Sequence, residues 1–111
     1  MPEREPFAYQ GDEARRAPVL AALRAVVDPE SALSIVDMGL VVSVAIDAQE
    51  ARVELVMTSA ACPVADLIVE DVEQALDRVL PPELLIRVGI RDDLEWTPER
   101  MTEAGRRFMR W

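Results

Sequence analysis

Residues 53–79, VELVMTSAACPVADLIVEDVEQALDRV, decide the fold, because they read as a strand, a short loop and a long helix in succession. Val53, Leu55 and Met57 lie on one face and Arg52 and Glu54 on the other, which is the period of a half-buried strand. The helix begins at Pro63 and repeats apolar residues at helical spacing. Its apolar stripe consists of Val64, Leu67, Ile68, Val72, Ala75, Leu76 and Val79. One face of this helix is therefore predicted to cover the sheet.

A further strand is predicted on each side of this unit. Before it, Leu40, Val42, Val44 and Ile46 alternate, and a turn at 48–50 joins the two strands in a hairpin. After it, Leu84, Ile86, Val88 and Ile90 alternate, with Arg87 and Arg91 on the opposite face. The helix between the second and third strands is a crossover, so those strands should run parallel. The predicted core contains Val53, Leu55, Leu67, Ile68, Val72, Leu76, Ile86 and Val88.

Two more helices flank these elements. Leu20, Leu23 and Val27 predict a helix over 17–27, which ends before a proline. Thr97 and Pro98 are a plausible N-cap and first residue of a C-terminal helix, which Trp96 anchors against the sheet. The order α-β-β-α-β-α predicts an α/β fold, a two-layer α+β sandwich with a small mixed three-stranded sheet and helices mainly on one face. Residues 1–11 are expected to be a loose leader, and 12–111 a single domain.

Composition excludes several classes of function. The formal net charge of −9 disfavours nucleic acid and anionic membranes as partners. No apolar stretch has the roughly 18 residues that a membrane span needs. The single cysteine leaves no internal disulfide, and the absence of histidine excludes histidine-based catalytic triads. We therefore expect a cytoplasmic protein.

Cys62 is the residue with the most distinctive chemistry. A Cys-Pro pair at a helix start places the sulfur near unpaired backbone N–H groups and the positive end of the helix dipole, which favour a thiolate. A thiolate is both a nucleophile and a soft-metal ligand. The alternative is that Cys62 is a small buried hydrophobic residue, as many free cysteines are.

Four polar residues are the other candidates for a functional site. Asp28 and Glu30 could be acidic ligands or proton carriers, or ordinary turn residues around Pro29. Thr58 and Ser59 could donate hydrogen bonds to a bound sulfide or thiolate, or simply shape the loop before the helix. Sequence spacing alone favours ordinary turn residues for Asp28 and Glu30. It does not choose between the two alternatives for Thr58 and Ser59.

Four segments taken together resemble the PaaD-like and SufT-like iron–sulfur cluster assembly family. They are Asp28-Pro29-Glu30, residues 35–41 (IVDMGLV), residues 58–63 (TSAACP), and Trp96-Thr97-Pro98 followed by Met101 and Ala104. The resemblance extends from about Leu20 to Arg107 with similar order and spacing. It implies a small α/β assembly domain in which the acidic turn and the cysteine loop converge. We therefore expect Asp28 or Glu30 to lie close to Cys62.

The resemblance also implies a function: handing iron, sulfur or a cluster to client apoproteins through Cys62, with an iron–sulfur scaffold or the clients as partners. One cysteine cannot supply the four ligands that a cluster normally has. A homodimer could share a cluster, a hand-off complex could add a partner's cysteines, or Cys62 could carry iron or a persulfide. We favour the hand-off complex, with any iron or cluster bound only transiently, and expect an assembly factor rather than a turnover enzyme. The competing hypothesis is an interaction or regulatory adaptor in which Cys62 is structural.

Overall fold

The computed structural model describes residues 7–58 and 63–110, with Pro63 and Val64 described by their backbone only. The elements in chain order are β1 (Ala8–Gln10), α1 (Glu13–Arg24), β2 (Val41–Ile46), β3 (Glu50–Leu55), α2 (Pro63–Asp77), β4 (Leu85–Ile90), a 3₁₀ helix (Pro98–Arg100) and α3 (Glu103–Met109). Among these residues, no helix is long and apolar enough to cross a membrane.

The strands form one mixed sheet in the order β1-β2-β3-β4. β2 and β3 are antiparallel and β3 and β4 are parallel, which confirms the predicted hairpin and crossover. The α/β class is confirmed, but the sheet has four strands rather than three. The additional strand, β1, pairs in parallel with residues 43–45 of β2, within the segment expected to be a loose leader. Its three residues are too short for apolar alternation to reveal them.

The first helix begins earlier than its apolar residues indicate. Asp12 is the N-cap, and its side chain accepts a hydrogen bond from the backbone N–H of Ala14 at 3.0 Å. α1 therefore occupies 13–24 rather than 17–27, and Pro18 lies inside it rather than in its first turn. The prediction was wrong at this end because the apolar stripe begins a full turn after the cap.

A bulge interrupts β2. Val41 pairs with Leu55 and Ser43 with Glu54, so Val42 is an extra residue between two consecutive partners. Val41 consequently faces the core and is 1% exposed. The simple alternation predicted from residue 40 is broken at this point.

The core lies between one face of the sheet and the helices α1 and α2. Val53 and Leu55 are buried as predicted, together with three residues spaced four apart on α2: Ile68, Val72 and Leu76. Ile86 and Val88 are only half-buried, because β4 is the outermost strand. The prediction for Leu67 was wrong: it is 54% exposed, because only a narrow stripe of α2 meets the sheet.

Leu76→Ala is expected to lower the free energy of unfolding by about 2–5 kcal/mol, because a fully buried leucine is lost and a cavity remains. Leu67→Ala is the matched control, with the same chemical change on the same helix at an exposed position, and should cost less than about 1 kcal/mol. Urea unfolding of both variants measures the difference. Equal losses would contradict the facing of α2 described above.

The C-terminal segment is divided where one helix was predicted. Thr97 and Pro98 open a single 3₁₀ turn, without a capping hydrogen bond from the Thr97 side chain. α3 begins at Glu103, where the Thr102 hydroxyl accepts a hydrogen bond from the backbone N–H of Gly105. Trp96 anchors this segment to the loop before β2, whereas the sheet was predicted. Its indole N–H donates to the carbonyl of Met38, a residue of that loop, at 2.6 Å.

Candidate functional site

The acidic turn predicted from Asp28-Pro29-Glu30 is a tight loop between α1 and β2. Val27 and Ser34 form an antiparallel bridge across it. The backbone N–H of Asp28 donates to the carbonyl of Leu33, and the carbonyl of Asp28 accepts from the N–H of Ala32, both at 2.8 Å. The loop is thus closed by hydrogen bonds within its own main chain.

Asp28 is the buried charged residue of the described chain, at 4% exposure. One carboxylate oxygen accepts from the backbone N–H of Glu30 at 3.3 Å, and the other accepts from the Ser31 hydroxyl at 3.0 Å. The Ser31 hydroxyl in turn accepts from the N–H of Leu33 at 3.2 Å. These bonds compensate the cost of burying a carboxylate. Asp28 therefore has a structural role in shaping the turn, which supports the turn-residue alternative.

Glu30 and Thr58 are both exposed. Glu30 is carried at the tip of the acidic turn, while Thr58 follows β3 after two residues. The Glu30 carboxylate and the Thr58 hydroxyl therefore belong to exposed residues, whereas Asp28 is buried.

A series of main-chain hydrogen bonds connects the acidic turn to the end of β3. Ile35 donates to the carbonyl of Val26, Leu40 donates to the carbonyl of Ile35, and Val56 donates to the carbonyl of Leu40, at 2.8–2.9 Å. Val26 lies two residues before Asp28, and Val56 lies two residues before Thr58. The acidic turn and the end of β3 are therefore linked through the segment 35–40.

Ser59 and Cys62 lie outside the described residues, so the predicted closeness of Asp28 or Glu30 to Cys62 stays a prediction. α2 does begin at Pro63, as predicted. Within residues 7–58 and 63–110, no three acidic side chains are close enough together to hold a metal ion.

Another motif of the sequence, residues 37–39, is held by the C-terminal segment in an arrangement that we call the clasp. The clasp consists of Trp96, Arg100 and Thr102. The Arg100 guanidinium donates to the carbonyl of Gly39 at 2.9 Å, in addition to the bond from Trp96 to Met38. Two of the four resemblance motifs therefore form one structural unit.

Asp37 is one of the residues that the clasp holds, and it was missed as an individual residue by sequence reasoning. Its carboxylate accepts from the Thr102 hydroxyl at 2.8 Å and pairs with Arg24 at 3.3 Å. Its carbonyl accepts from the backbone N–H of Thr102 at 3.0 Å. The sequence feature that could have pointed to Asp37 is the joint occurrence of the Asp-Met-Gly and Trp-Thr-Pro segments. By itself, this joint occurrence does not indicate that the two segments are in contact.

The described residues thus form a small α/β domain with a closed acidic turn, an exposed threonine after β3 and a helix that starts at Pro63. The sequence model of the iron–sulfur cluster assembly protein family matches residues 16–84. The chain belongs to this family.

Relatives and solved structures agree with this assignment. The chain is 36% identical to the Fe-S protein maturation auxiliary factor YitW of Bacillus subtilis over 82% of this chain and 89% of the relative. It is 30% identical to an Fe-S protein maturation auxiliary factor of Porphyromonas gingivalis over 77% and 81%. A crystal structure of a DUF59 domain of unknown function from Bacillus anthracis superposes with a TM-score of 0.78 at 36% identity, covering 87% and 92% of the two chains. A conserved hypothetical protein from Thermotoga maritima gives 0.72 at 34% identity, covering 90% and 95%.

Proposed function

We propose that this protein matures iron–sulfur proteins in the cytoplasm by handing iron, sulfur or a cluster to client apoproteins through Cys62. The observation that carries the proposal is the 36% identity to a maturation auxiliary factor over most of both chains. The family to which the chain belongs points to the same chemistry. The iron or cluster is cargo here rather than a resident cofactor.

The geometry of the described residues supports this assignment of roles. Main-chain hydrogen bonds link the acidic turn to the segment that ends in Thr58, and α2 begins five residues after Thr58, at Pro63. Backbone N–H groups at a helix start stabilise a thiolate, which binds iron where a thiol does not. In the proposal, Cys62 holds the cargo and Thr58 and Glu30 contact it or its donor.

We propose hand-off within a complex with a scaffold or client rather than storage. One thiolate leaves most coordination positions of a cluster for the ligands of a partner. A cargo held by few bonds also leaves more easily, so an incomplete ligand set favours transfer. The homodimer with two Cys62 thiolates is the alternative arrangement.

A second candidate function is an interaction adaptor in which Cys62 is structural. It is favoured by one observation: Asp28 and Asp37 both shape the fold, Asp28 through bonds within its own turn and Asp37 through its bond to Thr102 of the clasp. An adaptor needs these residues for shape alone. Thiol reactivity separates the two functions, because a cargo-carrying cysteine must react with a thiol reagent in the folded protein.

Cells lacking the gene are expected to lose much of the activity of their iron–sulfur enzymes, with enzyme abundance unchanged, because clusters are not delivered. An enzyme without a cluster, assayed in the same extracts, should retain full activity, and restoring the gene should restore the lost activity. If cells that lack the gene kept unchanged iron–sulfur enzyme activities even when grown under iron limitation, the proposed function would be contradicted.

A further inference from the structure

In the described part of the chain, the outer edge of β4 has no partner strand. Leu85 donates its backbone N–H to Gln49 at 3.0 Å, and Arg91 donates to Leu55 at 2.7 Å, so odd-numbered residues of β4 direct their main-chain groups toward β3. Because these directions alternate along a strand, Ile86, Val88 and Ile90 direct their N–H and C=O groups away from the sheet. No other strand of the described chain pairs with this edge.

An acidic groove of about 430 Å³ runs beside this edge. Its floor includes three apolar residues of the β4 region, Leu84, Leu85 and Ile86, and its wall is an exposed face of α2. The acidic residues of that wall are Glu70, Glu73 and Asp77. None of these three carboxylates forms an ion pair or hydrogen bond with another described residue.

An unpaired strand edge accepts an additional strand through main-chain hydrogen bonds, and the side chains beside it select which strand is accepted. Antiparallel pairing of two β4 strands from two copies would place both α2 helices on the same face, so that six carboxylates would lie together. Negative charges brought close together repel one another, which disfavours a second copy of this chain as the occupant.

We propose that the β4 edge binds an extended segment of a partner protein whose side chains facing α2 are lysine or arginine. The segment would pair with Ile86, Val88 and Ile90 and place its cations against Glu70, Glu73 and Asp77. This surface lies outside the Asp28 turn, and the proposal holds whatever the role of Cys62. It goes beyond the proposed function by assigning a docking surface and the chemistry of its ligand.

Amide hydrogen exchange tests the pairing directly. The probe is a ten-residue peptide of alternating valine and lysine, added at saturating concentration to the full chain. The amides of Ile86, Val88 and Ile90 are expected to become protected by about tenfold or more, while those of Leu85 and Arg87 change little because they are already bonded. Absence of protection at all three edge amides would overturn the proposal.

Variants separate strand pairing from charge attraction. Ile90→Pro removes an edge N–H without breaking a bond to β3, so it should weaken binding at least tenfold while thermal melting shows a folded protein. Glu70→Gln combined with Glu73→Gln should weaken binding by about three- to tenfold, since each exposed ion pair is worth little. Glu95→Gln, which removes one exposed charge outside the groove, is the control and should leave affinity unchanged.

Two peptide controls complete the test. A valine–glutamate peptide should not bind, and a valine–lysine peptide with N-methylated backbone should lose most of its affinity. Equal binding of the N-methylated peptide would show charge adsorption only and overturn the proposal. A dimer in sedimentation that Ile90→Pro dissociates would overturn it in favour of a second copy.

Discussion

Gly39→Ala is expected to lower the free energy of unfolding by about 3 kcal/mol or more, which places it among the most damaging single substitutions of this chain. Gly39 has φ +73°, in the left-handed region that alanine rarely adopts. A Cβ there would overlap the carbonyl oxygen of Arg100 and lie 2.5 Å from its carbonyl carbon. Both atoms are main chain, so the overlap is relieved only by moving the clasp.

Gly89→Ala is the matched control. Gly89 lies on β4, its φ is outside the positive region, and a Cβ there would meet no heavy atom within 4 Å. We expect a change within about 0.5 kcal/mol for this variant. Urea unfolding of both proteins provides the comparison, and a Gly39→Ala protein as stable as the Gly89→Ala protein would show that the clasp does not approach residue 39 as described.

Cys62→Ser is expected to abolish delivery of clusters to clients while leaving folding nearly intact. Serine is close to cysteine in size and is a good residue at a helix start, so α2 should still begin at Pro63. A hydroxyl, however, is not ionised near neutral pH and is a poor ligand for iron in a sulfide-bridged cluster. Stability and activity should therefore separate.

The measurement pairs thermal melting with the activity of client enzymes in cells whose only copy of the gene is the variant, at equal protein abundance. Full client activity with Cys62→Ser would remove Cys62 from the mechanism and favour the adaptor. The adaptor also predicts that Cys62 of the native protein reacts with a thiol reagent only after unfolding. A loss of stability in proportion to the loss of activity would likewise indicate a packing role.

Apolar periodicity predicted those strands and helices that are long enough to repeat the pattern. β3 and α2 were found, although each ends two residues before the last apolar residue assigned to it, Met57 and Val79. The parallel arrangement of β3 and β4 followed from the crossover between them. β1 was missed because three residues carry no period, and the bulge at Val42 was missed because it is a property of pairing rather than of one strand. The exposure of Leu67 depends on how α2 is rotated against the sheet, which its broad apolar stripe leaves open.

In the candidate site, too, sequence identified residues but not their contacts. Sequence identified Asp28 as a residue of interest, but its burial and its bonds to the Glu30 N–H and the Ser31 hydroxyl appear only in three dimensions. The clasp was beyond prediction because its contacts join residues 58 to 65 positions apart. A pattern read along one chain contains no information on which distant segments meet.

The clasp also changes where this domain must be cut for any study of a fragment. The segment recognised by the family's sequence model ends at residue 84, whereas Trp96, Arg100 and Thr102 lie beyond it. A fragment trimmed to that boundary would keep Asp28, Thr58 and Cys62 but deprive the carbonyls of Met38 and Gly39 of their donors. It would also remove β4, and with it the strand that completes the sheet beside β3. The smallest unit that retains the shape of the candidate site thus extends at least to Gly105, where α3 packs against the carbonyl of Asp37.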